Sequence, residues 1–154
     1  MTKDLDKTSG LRLNTGMRDL LKFTPLGLVA LAMVNTVQAG DVSILAADLT
    51  NQGNNTWSVN VTLKHDDTGW DHYADNWRLV DAKGSVLGDR VLYHPHVNEQ
   101  PFTRSLNAIN IPEMAVQQGD TLYIEAHDKR HGWTDNRLSL DLSQVKNGHL
   151  KVAY

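Results

Sequence analysis

Six of the seven histidines fall in three short stretches crowded with Asp, Trp and Tyr: HDDTGWDHYAD at 65–75, YHPHVNE at 93–99 and HDKRHGWTD at 127–135. Neutral imidazole is a ligand for zinc, Cu(II), nickel and Fe(II), so a shared site built from these stretches would be a transition-metal site. His94 and His96 flank Pro95, whose φ is locked near −65°, and side chains at i and i+2 of an extended chain point the same way. His127 and His131, four apart at a strand end, add further nitrogens, and His72 comes next. Asp66, Asp67, Asp71, Asp128 and Glu99 are carboxylates within the same stretches, able to ligate directly or to fix imidazole tautomers from behind. His65, at a strand end with two Asp after it, is the weakest candidate of the six. His149 reads as tail surface.

Copper and zinc are the expected ions. There is no Cys in the chain, which excludes thiolate sites and catalytic thiols. Met114 is the one Met beyond residue 33, which disfavours soft Cu(I) chemistry. The Gly69-Trp70 and Gly132-Trp133 steps put an aromatic in each of two loops. Trp70 and Trp133 could wall the site, form a stacking platform for sugar or protein, or cap the core. No G-x-S-x-G, H-E-x-x-H or phosphate-cradling glycine loop occurs, and no Ser, His and Asp order picks out a triad.

For the three stretches to meet, the intervening chain must bring them to one place. Period-2 alternation is plain: Trp57, Val59, Val61 and Leu63 alternate with polar neighbours, as do Leu122, Ile124 and Ala126, and then Leu138, Leu140 and Leu142. Turn residues at 51–55, 81–84 and 118–120 separate the candidate strands. The pattern predicts an all-β, immunoglobulin-like antiparallel β-sandwich of about seven strands, at 42–49, 56–64, 77–81, 85–93 (interrupted near Gly88), 102–111, 120–127 and 137–142. A lipocalin-like barrel is the alternative, and usually needs more strands. Trp77 takes the place of a core tryptophan, Phe102 is core, and Arg104 pairs with Glu99 or Asp75. Residues 147–154 form either a short strand or a loose tail. In such a sandwich the loops after the second, fourth and sixth strands leave at one end, which places all three histidine stretches together. The turns at 81–84 and 112–120, at the other end, carry no His.

Residues 1–39 are expected to stand outside this domain. Phe23 to Val34 is a 12-residue uncharged apolar run after Arg18 and Lys22, with Val37 and Ala39 placed as the −3 and −1 positions of a signal-peptide cleavage site. The run is short of the roughly 20 residues a membrane span needs, although an N-terminal anchor is the competing reading. Met17 would start a signal of ordinary length. Without a Cys after the run, lipoprotein processing is not expected. Removing 1–39 takes Lys plus Arg from 15 to 10 and Asp plus Glu from 18 to 15, moving the net charge from −3 to −5. The remaining 40–154 suits a single acidic domain, periplasmic or secreted, with no membrane contact after cleavage. An acidic surface without a basic stripe argues against nucleic acid.

The strings GWDHYADNWRLVD, VLYHPHVNEQPFTRSL and AHDKRHGW resemble those of a family of small exported proteobacterial proteins that carries no assigned activity. The resemblance covers roughly residues 42–142 and implies export, not chemistry. In outline the chain is also similar to periplasmic immunoglobulin-like metal-binding proteins. Superoxide reductases share that outline but use a Cys ligand absent here. The expectation is a periplasmic metal-binding protein for transport, buffering or delivery, more binding protein than enzyme, with a periplasmic protein as partner. The alternatives are a metal-free module gripping protein or glycan through its Trp/His/Asp loops, and a metal-dependent redox or hydrolytic enzyme.

Overall fold

A computed structural model describes residues 41–154; the expected signal segment, 1–39, lies outside the described residues. Two antiparallel sheets pack against each other. The first has the order β5 (Phe102–Asn110), β2 (Thr56–Lys64), β1 (Ser43–Gly53), β9 (His149–Ala153). The second runs β4 (Val86–Val91), β3 (Ala74–Val80), β6 (Thr121–Asp128), with β8 (Leu138–Asp141) and the two-residue β7 (Gly132–Trp133) both pairing with β6. This is the strand order expected of the immunoglobulin-like sandwich, with β9 added beside β1.

Alternation decides which face is buried. Trp57, Val59, Val61 and Leu63 of β2, Trp77 and Leu79 of β3, and Leu122, Ile124 and Ala126 of β6 meet between the sheets, nearly all of them wholly shielded from solvent. Asn54 and Asn55, both at positive φ (52° and 60°), turn β1 into β2; Asn tolerates the left-handed conformation that a tight hairpin requires. Strand positions fall within a few residues of expectation, and residues 147–154 supply β9 rather than a tail. The 112–120 connection holds one helical turn, α1 (Glu113–Gln118), closed by Gly119 at φ 69°.

The expected interruption near Gly88 is a bulge at Leu87: Leu79 pairs with Gly88 and its neighbour Val80 with Val86, so β4 carries one extra residue there. Gly88 itself is needed for packing. A Cβ there would come within 2.9 Å of Leu106 Cδ2 and 3.0 Å of Ile109 Cδ1 on β5, so its bare backbone lets the two edge strands close over the core. Gly88→Val is therefore expected to lower stability by about 1–3 kcal/mol through overpacking, read as an earlier midpoint in urea unfolding. Gly88→Ala should cost less, because the atoms it meets are side-chain ends that can turn.

Candidate metal centre

The exits of β2, β4 and β6 all lie at one end of the sandwich, where residues 65–73, 92–101 and 128–137 pack together. His149 is at the opposite pole, beside Thr50 and Asp48.

The local cause is strand parity. β2 buries every second residue through Leu63, and His65 continues the same face past the strand end, 3% exposed. β6 does likewise through Leu122, Ile124 and Ala126, so Asp128 points inward and is fully buried. His72 is brought in by the tight turn in which Gly69 and His72 bridge. One ligand atom from each of His65, His72 and Asp128 lies within 4.8 Å of the others. Donors held about 2 Å from a tetrahedral ion sit roughly 3.3 Å apart, so movements of about an ångström bring this trio to bonding distance.

Asp67, fully buried, holds the arrangement. Its Oδ1 accepts from His65 Nδ1 at 2.6 Å and from the Ala74 N–H at 3.0 Å, and its Oδ2 accepts from the His96 N–H at 2.6 Å. A carboxylate oxygen accepts, so Nδ1 of His65 carries the proton and Nε2 is the nitrogen that could ligate an ion. Gln100 adds a second clamp, accepting from the His65 N–H and donating to the His96 carbonyl. The Nε2 of His72 is buried with no hydrogen-bond partner among the described residues, 3.8 Å from Asp128 Oδ1. Buried polar nitrogens are nearly always paired, and a metal ion would supply the missing partner.

Asp128 is set up as an anion. Burial alone would raise its pKa, but the N–H groups of His131 and Arg130 and the His131 ring together hold it below the usual carboxylate value. Its charged form is favoured by the fold. That contribution to stability is present above the ordinary aspartate pKa and is lost as pH falls through the depressed one. His96 is lowered as well, first by burial and then by Arg104 and His94, against weaker opposing effects of Asp67 and Glu99. Its contribution is whole above the usual 6.5 and is lost as pH drops below it towards the folded value, because the unfolded chain then binds the extra proton.

The expected ligands separate into groups. His131 adjoins the trio, its ring 5.0 Å from that of His72 and its Nδ1 3.0 Å from Asp128 Oδ2. His94 and His96 form a neighbouring pair with ring centroids 4.6 Å apart. His127 does not join them. It sits on the outward parity of β6 with its Nδ1 2.5 Å from Asp75 and its ring against Trp133, where Arg78 lies over the indole, 3.8 Å from its ring centre. On that same outer face Arg78 and Arg137 both pair with the buried Glu125. Asp71 is exposed, and Glu99 is exposed and paired with Arg104 at 3.0 Å. Neither tryptophan caps the core: Trp70 is 62% exposed and Trp133 38%. His65 and Asp67 enter the centre on the strength of parity, a signal already visible in the spacing from Leu63.

No protein-family model matches the chain, and no solved structure matches it. It is similar to a protein of Halomicrobium mukohataei named "Putative lipoprotein", with 35% identity over 102 residues. The match takes in 66% of this chain and 47% of that relative, so the chain spans about half the relative's length. Among the described residues, no helix is long and apolar enough to cross a membrane.

Proposed function

We propose that the protein is an extracytoplasmic binding protein for a transition-metal ion, zinc or copper, held by His65, His72 and Asp128. The observation that carries the reading is the buried, unpartnered Nε2 of His72 within reach of two further donor atoms. Two nitrogens and one carboxylate oxygen suit zinc or Cu(II), and three protein donors leave a position for solvent or an exchanging ligand. Such a site fits transport, buffering or delivery. Export is supported by the apolar run at 23–34, with 1–39 as its signal, and by the relative's name.

Calorimetric titration of the full chain with zinc and with Cu(II) tests this. The wild type and His127→Ala are expected to bind alike. His72→Ala should lose more than the roughly 10–100-fold that removal of a supporting residue costs. Equal binding by His72→Ala and wild type would end the assignment.

A second reading rests on a different observation. Trp70 and Tyr93 are 62% and 75% exposed at this end, as a platform for a protein or glycan would be. A partner docking there is compatible with ion delivery, and without an ion it would make the protein a plain binding module. Partner capture unchanged in His72→Ala would favour the plain module.

A further inference from the structure

His94 and His96 stand one carboxylate away from the trio. The His96 ring is stacked on Phe102, with centroids 3.8 Å apart and planes at 12°, and its side chain is 1% exposed. Neither ring nitrogen has a hydrogen-bond partner among the described residues, and the nearest carboxylate oxygen to Nδ1, Asp67 Oδ2, is at 3.8 Å. Packing on Phe102 accounts for the ring's position but not for two orphaned nitrogens. On its outer side the exposed His94 ring lies 4.6 Å away, tilted by 40°, and Pro95 holds the two residues at a fixed backbone angle. The pair thus runs from solvent to the buried side of Asp67, whose other oxygen grips His65.

We propose that His94 and His96 hold a second transition-metal ion, in a shallow two-nitrogen site through which the inner His65–His72–Asp128 centre is filled. The proposal rests on the inner centre binding an ion. Two imidazoles with the remaining positions open to water bind more weakly than a three-donor site and exchange faster. Passage inward replaces imidazole and water ligands by the inner donors, with no change in oxidation state. Asp67 is the hinge between the two positions, since its Oδ1 supports the inner imidazole and its Oδ2 the backbone of the outer one.

The test uses the full chain and Cu(II), with equivalents counted by titration and filling followed by stopped-flow tryptophan quenching. The wild type should take up two equivalents, the second more weakly. His94→Ala, a change at an exposed side chain, should lose the weak equivalent, keep the tight one at unchanged affinity and fill it more slowly. His72→Ala should keep the weak equivalent. A single equivalent in the wild type, or two retained in His94→Ala, overturns the outer site while leaving the inner one standing. Loss of both equivalents in His72→Ala means one shared centre and overturns it too. No binding by any form removes the inner centre and this inference with it.

Discussion

Asp67→Ala is expected to destabilise the metal-free protein by about 3–5 kcal/mol and to weaken ion binding by about 10–100-fold. Three donors converge on this one buried carboxylate: a ring nitrogen from the exit of β2, a backbone N–H at the start of β3 and a backbone N–H in the loop after β4. Truncation leaves all three in a dry interior without an acceptor, and each stranded donor costs on the order of 1–3 kcal/mol. The same change removes the acceptor that fixes the His65 tautomer, which accounts for the loss of affinity. Asp67→Asn keeps one carbonyl acceptor and should fall between the variant and the wild type. Urea unfolding at neutral pH reads the first effect and zinc titration the second. A loss below about 1 kcal/mol would show that the carboxylate is not the anchor of this end.

Zinc at a free concentration one hundred times its dissociation constant should stabilise the fold by about 2.7 kcal/mol, which for a domain of this size raises Tm by roughly 8–15 °C. His127→Ala should show the same rise, since that imidazole faces the outer sheet surface and is engaged by Asp75. His72→Ala should show almost none. The rise should shrink on acidification, because protons compete with the ion for imidazole nitrogen. Scanning fluorimetry with and without zinc, at several pH values, separates these cases. A rise that survives in His72→Ala would place the ion elsewhere.

The sandwich was legible because its strands obey a two-residue period over long, clean runs, as in Trp57 to Leu63. The gathering of the histidine stretches at one end followed from strand direction alone. Which imidazoles face each other was harder to read. For His65, Asp128 and His127 the information is present: Leu63 and Ala126 set the inward face, so residues two further on point inward, and the residue between points out. For His72 and His131 no such rule exists, since both sit in loops whose path depends on bridging and on Asp128 accepting from two successive N–H groups. α1 went unread because one turn of helix with no buried residue leaves no periodic trace. The place of Trp133 under Arg78 could not be anticipated either, because it depends on the two-residue β7 pairing with β6.

The inner donors are separated along the chain by most of the domain, residue 65 at one extreme and residue 128 at the other. No local segment holds the cage, so it exists only once β2, β3 and β6 have all found their places. On the proposed function, ion capture would then be the closing event of maturation and not a nucleus for it. Contacts made that late slow unfolding while leaving the folding rate almost unchanged. The bound ion would therefore act as a latch on a finished molecule, prolonging the lifetime of a chain that has no disulfide to do so.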